Sequence, residues 1–340
     1  MKIQILCTLG PASMKPEIIR ELDARGVDLF RINLSHTPLD RVEPSIDLVR
    51  GCSSTPICLD TEGAQVRCGE VEDGVVLDEG AEIDLMADTV MGTGSSVTLW
   101  PDSLFASLRT GSELAIDFDG ATVRVIEVAD RGARAIVTGT GRVRSNKGVT
   151  VDPPPSLPAL SDKDLAALEL GSRLGITDHA LSFASSAEDV ALIRSLTPAG
   201  SKIIAKIESR VGVRNMDDII GAADAVLIDR GDLSREVPFE LVPYYQKAII
   251  RRANRWHRPV FVATNLLESM VTGRVPTIAE SNDIANTLLD GVHGLVLAAE
   301  TAVGLDPVGS VDMVLRGIRA FDSTTHIRLL EDDRMELPTL

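Results

Sequence analysis

The chain has 340 residues, 44% of them hydrophobic, 25% charged and only 3% aromatic, with a formal net charge of −16. That length allows a sizeable aliphatic core, in one large domain or in a large domain plus a smaller one. An acidic chain with no basic tract argues against nucleic acid and anionic membranes as partners, and without 18 successive apolar residues no bilayer span is expected.

The chain opens on the apolar run 3-IQILCTLG-10, which Pro11 and a polar stretch follow too soon for a secretory signal, so a cytoplasmic location is expected. The amphipathic stretch 14–26 closes on Gly26, a residue suited to a helix C-terminus. Two more apolar runs follow, 28-DLFRINLSH-36 and 55-TPICLDTEG-63. Residues 69–146 then break the rhythm. They are rich in Val, Thr, Asp and Gly, carry turn pairs such as Asp73-Gly74, and alternate at period two in 122-TVRVIEV-128 and 134-RAIVTGTGRV-143. This interval reads as an inserted all-β domain, a small barrel, and 151-VDPPPSLPA-159 reads as a proline-stiffened return. Apolar runs resume at 178-DHALSFASS-186, 201-SKIIAKIES-209, 225-AVLIDRGDL-233, 259-PVFVATNLLES-269 and 294-GLVLAAETA-302, with amphipathic segments between.

Eight short strands alternating with helices predict a (β/α)8 TIM barrel of the α/β class. The barrel is assigned to 1–68 and 147–325, the β-barrel lid domain to 69–146 and a polar tail to 326–340. No GxGxxG follows the first strand, which disfavours a doubly wound sheet. The four cysteines, Cys7, Cys52, Cys58 and Cys68, form no CxxC pair and read as small core residues in a reducing compartment.

In such a barrel the chemistry sits where strands end. On the fifth strand Lys202, Ile204, Lys206 and Glu208 share one face by alternation, while Ile203, Ala205 and Ile207 face the helices. Lys206 and Glu208 therefore point to the barrel top with Cβ atoms roughly 6.5–7 Å apart. A structural ion pair is the plain reading; a cation gripping an anion beside a metal-binding carboxylate is the functional one. In 229-DRGDLSRE-236, Gly231 admits close backbone approach, and Asp232 is either a helix cap or a second carboxylate that shares a divalent ion with Glu208. Arg31, Asn33 and Ser35 share a face at the end of the second strand, and Asp60 and Thr61 end the third. Asn33, Ser35, Asp60 and Thr61 are oxygen donors suited to a hard cation, and Arg31 and Arg67 are suited to phosphate. Thr264 ends the seventh strand, where its hydroxyl is either a core group or a donor to an oxyanion. Lys147 stands on the return from the insertion.

Together these residues make the chain similar to the pyruvate kinase family. The matching stretches are 6-LCTLGPAS-13, 31-RINLSH-36, 59-LDTEG-63, 147-KGV-149, 202-KIIAKIESRVGV-213, 230-RGDL-233, 263-ATNLLESM-270, 283-DIANTLLDG-291 and 300-ETAVG-304, in the family order. The resemblance implies phosphoryl transfer from phosphoenolpyruvate to ADP, giving pyruvate and ATP. It implies Mg²⁺ or Mn²⁺ on Glu208 and Asp232, and K⁺ on Asn33, Ser35, Asp60 and Thr61. It also implies Lys206 as the group that neutralises the phosphoryl, with Arg31, Arg67 and Lys147 near the phosphates. Gly231, Asp232 and Thr264 would hold the substrate carboxylate, Thr264 close to the enol carbon.

The chain departs from the family pattern at several points. The family's C-terminal effector domain has no counterpart, so effector regulation is expected to be absent. Asp229 and Ser234 stand where the family has Ala and Gly, Glu62 replaces Lys, Ala64 replaces Pro, and Gln65 leaves K⁺ dependence open. Ala298 replaces a serine and Ile278 an arginine. The phosphoryl and metal ligands are retained while the walls have changed, with Asp229 and Glu62 as candidate specificity residues. The alternative is thus a specialised relative that uses phosphoenolpyruvate or a 2-oxoacid with another acceptor, for example in biosynthesis. A homo-oligomer through barrel helices is compatible with either reading.

Overall fold

The computed structural model of the chain describes residues 2–63, 65–117 and 120–324. It divides into two compact units, one of Met1–Gly63 with Leu160–Leu340 and the other of Ala64–Ala159. The tail assigned to 326–340 lies outside the described residues.

The first unit is a closed barrel of eight parallel strands: Gln4–Leu9, Leu29–Asn33, Ile57–Asp60, Asp178–Leu181, Lys202–Lys206, Ala225–Asp229, Val260–Ala263 and Gly294–Leu297. Each pairs in register with its sequence neighbours in the barrel, and the last closes on the first through Gln4↔Gly294. All eight predicted runs contain one of these strands. The runs overshoot at their C-terminal ends, because 230–236 and 299–302 are already helical. Alternation sorts the side chains into two clusters. Leu6, Ile204, Leu227 and Val296 fill the barrel interior, while Ile203, Ala205 and Ile207 join the larger core between strands and helices. Helices start where sequence gives them caps: Ser161 with Asp164, Ser186 with Asp189, and Thr277 with Glu280 each form a reciprocal capping box.

The second unit is a closed barrel of seven strands, packed around Ile83, Leu99, Val123 and Val137. It extends past the 69–146 assigned from sequence, because Val66–Cys68 and Gly148–Asp152 pair within it. Arg67 and Lys147 therefore belong to this unit. No helix among the described residues is long and apolar enough to cross a membrane.

Candidate active site

The C-terminal ends of the second, third, fifth and sixth strands of the parallel barrel carry one buried charge cluster. Lys206 closes the fifth strand with its side chain only 5% exposed. Its Nζ lies 3.5 Å from Asp60 Oδ2, 3.3 Å from Glu208 Oε2 and 3.8 Å from Asp229 Oδ2, and donates to Ser182 Oγ at 3.0 Å. Arg31 closes on the same group: Nη1 pairs with Asp60 Oδ2 at 2.9 Å and Nε donates to Thr8 Oγ1 at 2.8 Å. Ser182 in turn donates to Asp60 Oδ1 at 3.2 Å, and its backbone N–H donates to Thr61 Oγ1 at 2.9 Å.

Glu208, Asp229 and Asp232 each bring a carboxylate oxygen within 4.8 Å of the other two. Glu208 Oε1 accepts the Phe183 N–H at 2.8 Å, whereas Oε2, although near Lys206, has no hydrogen-bond partner and is fully buried. Lys206 is its charge partner, and three hard oxygen donors this close together suit a divalent ion. The residues present therefore fit such an ion. Arg235 also reaches the cluster, 3.1 Å from Asp232 Oδ1. Lys206, Arg31 and Arg235 thus face the carboxyl groups of Asp60, Glu208, Asp229 and Asp232.

The protonation equilibria reflect this crowding. Burial pushes Glu208 up to about 8, with Lys206 opposing and the charges of Asp232 and Asp229 adding. Burial disfavours the charged form of Lys206, but Asp60, Glu208 and Asp229 outweigh it and the ammonium is held well above its ordinary range. Asp229 moves the other way: burial resists ionisation, yet Lys206 and Arg31 hold it below the usual carboxylate value.

Asp229 also caps the helix Arg230–Glu236. Its Oδ1 accepts from Gly231 N at 3.1 Å and Asp232 N at 3.5 Å. Thr264, one residue past the seventh strand, has φ +67, a strained setting for a β-branched residue. Arg230 pins it there, donating to the Thr264 carbonyl through Nε at 3.1 Å and Nη2 at 2.6 Å while Nη1 holds Asp283 at 2.7 Å. A cavity of about 570 Å³ opens beside these groups, lined by Arg31, Asn33, Asp229, Gly231, Asp232, Thr264, Arg235, His36 and Arg41 and by the apolar Leu9, Met14 and Val303.

Most candidates read from sequence therefore meet in one place: Arg31, Asp60, Lys206, Glu208, Asp229, Gly231, Asp232 and Thr264. Asn33 lines the cavity, but its Oδ1 accepts the Ser35 N–H at 2.9 Å. Glu62 is drawn elsewhere, pairing with Lys163 at 3.1 Å, while its N–H and that of Gly63 are held by Asp164. In the β unit, Arg67 donates to Asn146 O at 2.9 Å, next to Lys147. Sequence reasoning missed Thr8, Ser182, Arg230 and Arg235. For Ser182 a signal existed, since it stands two residues after the interior Ala180 and so points the same way.

The model of the "Pyruvate kinase, barrel domain" family matches residues 1–311. The pyruvate kinase of Agrobacterium vitis is 36% identical over 323 residues, covering 93% of this chain and 68% of that protein. The pyruvate kinase of Geobacillus stearothermophilus is 36% identical over 324 residues, covering 91% of this chain and 55% of that protein, so the chain spans little more than half of the latter's length. The crystal structure of a pyruvate kinase from Cryptosporidium parvum superposes with a TM-score of 0.86 and 29% identity, over 97% of this chain and 71% of that one.

Proposed function

Because the chain belongs to the pyruvate kinase family, we propose that it is a phosphotransferase moving a phosphoryl group between phosphoenolpyruvate and ADP, to give pyruvate and ATP. The observation that carries this reading is the Lys206 ammonium buried among three carboxylates, beside a carboxylate trio of divalent-ion dimensions. Phosphoryl transfer asks for positioning and charge neutralisation, and this arrangement supplies both.

In this reading Lys206 meets the charge of the phosphoryl group in transit, and Arg31, fixed by Thr8 and Asp60, orients it from the side. Mg²⁺ or Mn²⁺ held by Glu208 and Asp232 would draw off negative charge from the phosphate and substrate oxygens. Thr264 would serve the protonation of the enol carbon. Arg67 and Lys147, both in the β unit, are the remaining residues that the resemblance assigns to phosphate. Asn33, Ser35, Asp60 and Thr61 form the monovalent-cation set. Asp60 is already met by two cations, which favours weak dependence on K⁺. The four cysteines are free thiols, in keeping with a cytoplasmic protein.

The test is a coupled assay of phosphoenolpyruvate-dependent ATP formation with Mg²⁺, with and without K⁺. Turnover that needs the divalent ion supports the reading. Absence of turnover by protein that binds both Mg²⁺ and ADP would refute it.

A further inference from the structure

The phosphoryl-transfer reading leaves Arg235 without a task. Asp232 and Arg235 stand three residues apart on the helix Arg230–Glu236, so they share a face, and both line the cavity. Arg235 Nη2 lies 3.1 Å from Asp232 Oδ1, with the two side chains 34% and 23% exposed. The same carboxylate belongs to the trio whose oxygens lie within 4.8 Å of one another. A divalent ion held by Glu208 and Asp232 therefore competes with the Arg235 guanidinium for one carboxylate. Lys206 and Arg31 are buried against Asp60 and are fixed there, whereas Arg235 can swing its partly solvated head off Asp232 by side-chain rotation alone. The cavity that it then faces also carries His36 and Arg41, the latter exposed on the helix Leu39–Arg50.

We propose that Arg235 is a placeholder cation on Asp232, which a divalent ion displaces into the cavity, where its guanidinium binds a phosphate of the phosphoryl acceptor. The inference rests on the phosphoryl-transfer reading and adds to it a residue that meets the acceptor. The acceptor is assigned rather than the donor because the buried cations, Lys206 and Arg31, are taken by the group in transit. A diphosphate brings further charge, which must be met by the more exposed cations of the cavity, Arg235 and Arg41. A planar guanidinium holds a phosphate through two parallel N–H groups, which a point charge cannot do. The exchange keeps charges paired at each stage. Before the ion arrives Asp232 has Arg235; afterwards Asp232 has the ion and Arg235 has the phosphate. Ion and acceptor thus favour each other beyond any direct contact between them.

The experiment compares the wild type with Arg235→Ala and Arg235→Lys by titration calorimetry with ADP, in Mg²⁺ and in EDTA. Arg235→Ala is expected to weaken ADP binding about tenfold in Mg²⁺, where a charge-assisted pair is lost, but only about threefold in EDTA, where the wild-type arginine must first leave Asp232. By reciprocity, the few-fold tighter Mn²⁺ binding of Arg235→Ala without ADP should vanish once ADP is bound; this titration decides the matter if binding in EDTA is too weak to follow. Arg235→Lys keeps the charge without the fork and is expected to fall between; it also serves if the alanine variant fails to fold. Equal loss of ADP affinity in both media overturns the exchange, as does a gain in Mn²⁺ affinity that ADP leaves intact. Unchanged ADP affinity in Mg²⁺ overturns Arg235 as a ligand, and a loss confined to phosphoenolpyruvate overturns its assignment to the acceptor. A wild type that forms no ATP, while Arg235→Ala shows the ion-dependent loss of ADP, would overturn the phosphoryl-transfer reading and leave the exchange at Arg235 standing.

Discussion

Replacing Lys206 by Met keeps most of the unbranched stem and removes the charge. Asp60, Glu208 and Asp229, now 3.3–3.8 Å from an ammonium, would then face one another across an apolar stem. Breaking a buried ion pair by removing one partner costs about 3–5 kcal/mol, so metal-free Lys206→Met should be destabilised by about that much. The cost should depend on pH. In the native wild type Glu208 ionises only near 8, because burial resists its charge while Lys206 favours it. Removing Lys206 raises that value further. A carboxyl raised in the fold binds more protons than in the unfolded chain, so its contribution falls as pH rises from the unfolded value towards the folded one. Between pH 8 and the higher folded value of the variant, only the variant still holds this proton. The stability gap should therefore widen above pH 8, at about 1.4 kcal/mol per pH unit. Urea unfolding in EDTA at pH 6.5 and pH 9 measures this, and phosphoenolpyruvate-dependent ATP formation should fall at least a thousandfold in the same variant. A gap that stays constant with pH, or activity that survives, would refute both the placement of Lys206 and its role.

Three further outcomes follow from the same geometry. Glu208→Gln should weaken Mg²⁺ or Mn²⁺ binding by at least a hundredfold; in the wild type at pH 7 metal uptake should release a proton, seen as a binding enthalpy that changes with the ionisation enthalpy of the buffer. Arg235→Ala should strengthen divalent-ion binding a few-fold, since Arg235 competes for Asp232 Oδ1 and is one-third exposed; weaker binding in titration calorimetry would contradict this. Gly63→Ala should lower thermal stability, because Gly63 has φ +75 and a Cβ there would lie 2.7 Å from the Ser182 carbonyl; a strained conformation of this kind costs of order 1–3 kcal/mol.

The parts of the site visible in sequence were those that strand parity controls. Once 201–209 is read as a strand, Ile204 must go inside and Ile203 and Ala205 outside, and Lys206 follows Ile204 to the barrel top. The same rule carries Arg31 and would have carried Ser182. What parity cannot supply is partner choice across long sequence separations. Nothing near Glu62 announces that Lys163 and Asp164, on a helix about a hundred residues away, will hold its carboxylate and its N–H. The edges of the β unit were obscured for a different reason. Val66–Cys68 is too short to show a period, so its membership is decided by its partners Lys147–Val149 and Leu99–Trp100 rather than by its own pattern.

Asp229 shows how one position can be legible in kind yet not in consequence. A carboxylate at the end of the sixth strand is plain in 229-DRGDLSRE-236. Its reach depends on the helix beginning at the very next residue, which turns the same carboxylate into an N-cap that accepts from the Asp232 amide and shares the Gly231 amide with Thr264 Oγ1. The same carboxylate also bears on its neighbours: Oδ2 lies 3.8 Å from Lys206 Nζ, and its charge adds to the rise of Glu208.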